Sequence, residues 1–137
     1  MRRFWNDLVA AGIAVFAVGT LELTAQTKSG SAAARNPVAS TPKSIATGQA
    51  VFQKYCRFCH GADAKGDGPQ APKDTHPANL TDDKWDHGST DSEIFAVIKD
   101  GVGPKYDMKG FNSKLTPQEM WSVVNYLRSI GPKNSTR

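Results

Sequence analysis

The chain has few of the features that stabilise or anchor a small protein. Its 137 residues include only two cysteines, Cys56 and Cys59, and no internal repeat. A disulfide between cysteines three positions apart would constrain little of the unfolded chain. The longest apolar run, Leu8 to Leu21, falls short of the roughly 20 residues that a membrane-spanning helix needs. The absence of a disulfide framework means that a domain of this size needs another stabilising element.

The first 25 residues have the pattern of an export signal. Arg2 and Arg3 form a basic start, the apolar run follows, and Leu23-Thr24-Ala25 offers a small-residue cleavage site. An uncleaved membrane anchor is the alternative. Either arrangement places the remaining chain outside the cytoplasm, which argues against nucleic-acid binding. The short apolar run favours cleavage, so we expect a soluble periplasmic protein.

Composition divides the rest of the chain into three parts. Residues 26–43 are rich in Ser, Ala, Thr and Pro and have no apolar periodicity, which predicts a disordered linker. Residues 44–132 form the predicted folded domain. Residues 133–137 are predicted to be a disordered tail.

Caps and apolar periodicity predict three helices in the folded domain. The first, residues 44–58, begins at the N-cap Ser44. The second, residues 90–101, and the third, residues 116–131, each begin with a Thr-x-x-Glu capping box and end at a glycine. Between the first and second helices, residues 61–89 have no helical pattern. A loop of that length in a compact domain usually surrounds a functional site.

The segment "YCRFCHG" combines both cysteines with a histidine directly after the second. A thioredoxin-like pair would require a βαβ pattern, and no strand precedes this helix. Zinc bound by Cys56, Cys59, His76 and His87 remains an alternative, although zinc sites commonly use two closely spaced pairs. Only the C-x-x-C-H pattern of c-type haem attachment gives His60 a reason to follow Cys59 immediately. The motif therefore predicts one covalently attached haem with His60 as an iron ligand.

A second iron ligand is predicted at Met108. This residue lies in an irregular segment rich in Gly and Pro, where a thioether can reach the open face of the iron. Met120 lies instead on the apolar stripe of the last helix, which indicates a core position. His76 and His87 are the alternative ligands opposite His60.

Residues 44–132 resemble the class I monohaem cytochromes c. Gly48, Phe52 and Cys56 repeat the family's spacing on its first helix, and Tyr126-Leu127 resembles the pair on its last helix. The stretch from Gly101 to Leu127 is most similar to short bacterial cytochromes found with terminal oxidases and dehydrogenases. The resemblance implies an all-α cytochrome c fold, with three main helices and long loops around one haem, and a helix crossing at the glycine.

The resemblance also implies roles for residues outside the motif. Pro77-Ala78-Asn79-Leu80 is similar to the family's proline segment, in which a carbonyl accepts the Nδ1 hydrogen of the proximal imidazole, so Pro77 and Leu80 are expected at the haem. Trp85 is expected to donate its indole N–H to a haem propionate. The chain departs from the family in an additional loop, residues 63–75, and in His76, directly before the proline.

With both axial positions filled, one-electron transfer between proteins is the expected function, without enzymatic activity. The alternatives are a haem subunit of a larger dehydrogenase or oxidase complex, and a haem sensor or peroxidase with a labile sixth ligand. Lys105, Lys109 and Lys114 flank Met108, and Arg57 lies within the motif, whereas acidic residues are expected elsewhere, at Asp82, Asp83 and Asp86. This charge distribution predicts a redox partner with an acidic docking face.

Overall fold

The computed structural model describes residues 35–104 and 107–132. The predicted export signal, residues 1–25, and the predicted tail, residues 133–137, lie outside them. The described elements are, in chain order, α1 Pro42–Tyr55, α2 Arg57–His60, α3 Asp91–Asp100, β1 Gly101–Val102, β2 Met108–Lys109 and α4 Pro117–Ile130. Helices dominate, which confirms the predicted all-α class. No helix in the described part of the chain is long and apolar enough to cross a membrane.

Helix α1 begins before its predicted N-cap. Thr41 is the N-cap, Pro42 occupies the first turn, and Ser44 is the third residue of the helix. The hydroxyl of Thr41 accepts from the backbone N–H of Ser44, and the hydroxyl of Ser44 accepts from that of Thr41. Ser44 therefore completes a capping box instead of starting the helix, and the prediction of Ser44 as N-cap was wrong.

The start of the described chain contacts α4, although it falls within the predicted linker. The side chain of Asn36 donates to the carbonyl of Trp121 at 3.1 Å and to Oδ1 of Asn125 at 2.9 Å. Asn125 is buried and donates in turn to the carbonyl of Val38 at 3.0 Å. The predicted linker, residues 26–43, therefore overlaps an ordered stretch that begins several residues before α1.

The first predicted helix is divided in two at Cys56. The N–H of Cys56 donates to the carbonyl of Phe52 and closes α1, while its carbonyl accepts from the N–H of His60 within α2. The single predicted helix of residues 44–58 was therefore wrong near its end. Cys59 and His60 therefore belong to the short helix α2 and not to α1.

The other two helix predictions are confirmed. Thr90 caps α3 and Thr116 caps α4, each in a reciprocal capping box with the glutamate three residues later. Helix α3 ends at Gly101, whose φ of 79° lies in the region that favours glycine. The two-residue strands after α3 were not predicted, because strands this short have no periodic pattern. They pair antiparallel, with Val102 opposite Met108.

Helices α1 and α4 cross at Gly48, as the resemblance implies. A Cβ atom at this position would lie 2.0 Å from the carbonyl oxygen of Ser122, so only glycine permits this approach. One turn later, the rings of Phe52 and Tyr126 pack with centroids 5.4 Å apart. Buried apolar side chains of α4, including Val123 and Val124, extend the core from the crossing.

Residues 61–89 have no helix or strand, as predicted, and their first part covers α2. Backbone N–H groups of Gly66, Gly68 and Gln70 donate to the carbonyls of His60, Cys59 and Phe58, at 2.8, 3.0 and 2.8 Å. The additional loop thus satisfies the backbone carbonyls at the end of the shortest helix, which have no partner within it.

Candidate functional site

A cavity of about 740 Å³ lies between α1, α2, the 61–89 loop, α3, the hairpin and α4. Its volume is within the range of small-molecule and cofactor sites. The cavity brings together every residue that was predicted to contact the cofactor: Cys56, Cys59, His60, Pro77, Leu80, Trp85 and Met108. Apolar side chains complete its walls, among them Phe52, Ile94, Ile98 and Leu127.

The imidazole of His60 is oriented by the proline segment. Its Nδ1 lies 3.0 Å from the carbonyl oxygen of Ala78. A carbonyl can only accept, so the proton must be on Nδ1, which leaves the Nε2 lone pair as the metal-binding atom of the ring. Burial lowers the pKa of His60, an effect that the bond to Ala78 opposes. A neutral imidazole with this tautomer is the form that binds iron.

Ala78 was included in the proline segment but was not predicted as a site residue. The hydrogen bond comes from its carbonyl and not from a side chain, so the residue type at position 78 has no distinctive signal. Two residues later, the N–H of Leu80 donates to the carbonyl of Ala64 at 2.8 Å. The proline segment is thereby attached to the additional loop, whose Ala64 is fully buried.

Cys56 lies at the junction of α1 and α2, Cys59 lies within α2, and the two do not form a disulfide. Burial, with a smaller effect from neighbouring Cys59, raises the pKa of Cys56 to about 12. A thiol with such a pKa is neutral near pH 7, unlike the thiolates of redox-active cysteine pairs. Among residues 35–104 and 107–132, no group of three or more His, Cys, Asp or Glu side chains could hold a metal ion. The structure therefore does not assemble the four-residue zinc site.

Met108 and Met120 have different surroundings. Met108 is half-buried on β2 and lines the cavity. Met120 is 2% exposed, belongs to the core of α4 and does not line the cavity. The alternative ligands His76 and His87 also line the cavity, but both are exposed.

Trp85 lines the cavity and has a buried donor, its indole Nε1, without a hydrogen-bond partner in the described part of the chain. Leaving a buried N–H unpaired costs free energy, and native structures rarely do so without a reason. Because Trp85 also lines the cavity, an acceptor on a group bound there would satisfy this donor.

The charge around the cavity is mixed. Lys109 and Lys114 line it and are exposed, as predicted, whereas Lys105 lies outside the described residues. Lys54 of α1 also lines it, which the sequence did not predict because this residue is far from Met108 along the chain. Asp86 was expected away from the site but lines the cavity too, because the loop returns its segment to the opening.

These features fit a haem bound through thioethers. The group is a large apolar macrocycle with an iron at its centre and carboxylates at its edge. The cavity offers apolar walls, the thiols of Cys56 and Cys59, a neutral imidazole whose Nε2 carries the free lone pair, and Trp85, whose N–H has no partner among the described residues.

Comparisons with known proteins agree with this assignment. Residues 43–127 match the family described as cytochrome c oxidase, cbb3-type, subunit III. The cbb3-type cytochrome c oxidase subunit CcoP of Rubrivivax gelatinosus is 35% identical over 94 residues, which are 68% of this chain and 28% of that protein. The chain thus spans less than a third of the length of that relative.

Two solved structures are also similar. A reducing HAO-like protein complex of Kuenenia stuttgartiensis superposes with a TM-score of 0.64 and 25% identity, over 70% of this chain and 47% of the other. Cytochrome cL of Methylophaga aminisulfidivorans gives a TM-score of 0.54 and 25% identity, over 66% of this chain and 55% of the other.

Proposed function

The chain belongs to the cytochrome c family of cbb3-type oxidase subunit III and has one haem c on Cys56 and Cys59, and we propose that it transfers single electrons between periplasmic redox proteins with His60 and Met108 as axial ligands. Electron carriage as such is the property of the family. What we propose in addition is the ligand pair His60 and Met108, the periplasmic location and the docking face for partners.

The observation that supports the ligand pair best is the orientation of His60 in the cavity that Met108 also lines. The carbonyl of Ala78 fixes the ring so that Nε2 is available to iron. The pairing of Met108 with Val102 holds the thioether on a short hairpin instead of a long free loop. When bound, haem supplies a one-electron couple, and a His/Met pair raises its potential and leaves no position for a substrate.

The remaining predicted site residues have supporting roles. Pro77 and Leu80 flank the carbonyl that orients His60, and both line the cavity. Trp85 would donate its indole N–H to a haem carboxylate, which would satisfy a buried donor that has no partner within residues 35–104 and 107–132. The apolar walls would exclude water, so that little reorganisation accompanies the change of charge at the iron.

We propose that partners dock at the face around Lys109 and Lys114, with an acidic surface of their own. Both side chains are exposed at the cavity, where an encounter brings a partner close to the haem. Lys54 adds a third cation to this face. Electrostatic steering of this kind raises association rates more than affinity, as a brief redox encounter requires.

A second candidate function is that of a haem subunit in a larger oxidase or dehydrogenase complex. It is favoured because the matched relative is an oxidase subunit and one similar structure is a complex. Size-exclusion chromatography of native extract, followed by haem staining, separates the two: a free carrier elutes near the mass of one chain, and a subunit elutes with a large complex.

Replacement of Met108 by Ala tests the proposed ligand pair. Loss of the thioether should lower the reduction potential and allow carbon monoxide to bind the reduced protein, because the sixth position opens. Wild-type protein should bind carbon monoxide poorly. Wild-type protein that binds it readily would support a sensor or peroxidase with a labile ligand, and a Met108→Ala variant that behaves as wild type would exclude Met108 as the ligand.

A further inference from the structure

A buried ion pair joins the first turn of α3 to the last turn of α4. The Nε of Arg128 lies 2.7 Å from Oδ1 of Asp91, and the two side chains are only 9% and 14% exposed. A guanidinium is rarely buried unless it is paired. Because desolvation offsets most of the attraction in such a pair, stability alone is a weak explanation for it.

The same guanidinium contacts the segment that precedes α3. Its Nη2 donates to the carbonyl of Ser89, and its Cζ lies 5.9 Å from the centre of the Trp85 ring, within cation–π range. Arg128 does not itself line the cavity, whereas Trp85 does. Arg128 thus contacts the ring of the tryptophan whose buried Nε1 has no partner among the described residues.

We propose that Arg128 is a positioning residue that holds the Trp85 indole with its N–H available to the haem. The proposal rests on the proposed role of Trp85 as a donor to a haem carboxylate. Asp91 and Ser89 fix the guanidinium, and the guanidinium in turn contacts the Trp85 ring. Arginine can do this through several donors and a flat face, whereas a lysine ammonium has neither the fork nor the plane.

Hydrogen exchange of the Trp85 indole N–H in reduced, haem-loaded protein measures the positioning. The Trp85→Phe variant assigns the resonance by its loss. In the wild type the N–H should exchange slowly. Arg128→Met and Arg128→Lys should both accelerate its exchange roughly tenfold or more, because local opening becomes easier without the guanidinium beside the ring. The Arg128→Lys variant separates the effect of charge from that of geometry, since it retains the positive charge and loses the planar guanidinium.

An exposed ion pair on the same helix provides the control. Lys99 and Asp100 are 3.5 Å apart with side chains 48% and 57% exposed, so Lys99→Met removes a cation from α3 without contact to Trp85. Its indole exchange should match the wild type. Asp91→Ala, which leaves the guanidinium in place but removes the acceptor of its Nε–H, should also accelerate exchange and substitutes for Arg128→Met if that variant does not accumulate.

The reduction potential gives a second measurement. Trp85→Phe should lower it, because the carboxylate loses a donor and its negative charge then favours oxidised iron; both Arg128 variants should lower it in the same direction. Indole exchange in Arg128→Met and Arg128→Lys equal to that in Lys99→Met would overturn the inference about Arg128. A potential that Trp85→Phe leaves unchanged would instead refute the proposed donor role of Trp85.

Discussion

Replacing Gly48 by Ala should have two opposite effects on stability, a gain in helix propensity and a steric clash at the helix crossing. In an exposed helix, replacing glycine by alanine stabilises by about 1 kcal/mol, because alanine loses less backbone entropy. At position 48, the new Cβ would lie 2.0 Å from the carbonyl oxygen of Ser122, 2.5 Å from its carbon and 2.9 Å from Cβ of Tyr126. Two of these neighbours are backbone atoms of α4, which cannot rotate away as a side chain can.

The cost of the substitution follows from this geometry. Contacts shorter than 3.0 Å essentially never occur for a real Cβ, so α1 and α4 must move apart by about 1 Å at their crossing. Overpacking of a dense core costs roughly 1–3 kcal/mol, and the rigidity of both helices favours the upper end. After the propensity gain of about 1 kcal/mol, we expect a net loss of about 2 kcal/mol.

Urea denaturation of the haem-loaded protein, followed by far-ultraviolet circular dichroism, measures this loss. Ala50→Gly is the matched control, because Ala50 lies on α1 and is exposed. The control should lose about 1 kcal/mol through propensity alone. A Gly48→Ala variant more stable than wild type would refute the account of the crossing. The Soret band should also shift in Gly48→Ala, since Cys56 follows the crossing by two turns.

Three further predictions concern the core, the caps and the docking face. Met120→Ala should destabilise the protein by about 2–5 kcal/mol in the same assay without opening the iron to carbon monoxide; the opposite pattern would mean that the two methionines have been misassigned. Hydrogen bonds from the N–H groups and hydroxyls of their capping threonines lower the pKa values of Glu93 and Glu119 below the ordinary 4.5. The stabilisation by these carboxylates is therefore complete above pH 4.5 and is lost as the pH falls through their pKa values in the folded protein. Replacing both by Gln should weaken the dependence of the unfolding free energy on pH in this acidic range, and an unchanged dependence would contradict the capping role. Reversal of Lys109 and Lys114 to Glu should slow electron exchange with the physiological partner, less so at high salt, while a small neutral reductant reacts as before; a partner rate indifferent to both would exclude steering.

The helices were largely predictable because their signals are local. The Thr-x-x-Glu boxes predicted the starts of α3 and α4 correctly, since the donors and acceptors of a cap lie within four residues. The predicted start of α1 was wrong because its caps are not distinguished by local signals alone. Thr41 and Ser44 are both capable caps, and the choice between them depends on contacts of residues 36–39 with α4, which are distant in sequence.

The site residues could be predicted from the sequence where the side chain itself binds or contacts the cofactor. Cysteine, histidine, methionine and tryptophan were all placed at the cavity from their spacing and family resemblance. The contributions of Ala78 and Lys54 were not predictable, because one acts through its backbone carbonyl and the other is distant from Met108 along the chain. The break at Cys56 had no signal either, since the surrounding residues are compatible with one continuous helix.

Mass spectrometry of a tryptic digest tests the central claim most directly. Trypsin cleaves after Lys54, Arg57 and Lys65, which places Cys56 and Cys59 on two different peptides, residues 55–57 and 58–65. With haem bonded to both sulfurs, the two peptides should be recovered as one species that contains a single haem and absorbs in the Soret region. Recovery of the two peptides separately with free thiols, or linked only by a disulfide, would contradict the covalent haem and the function derived from it.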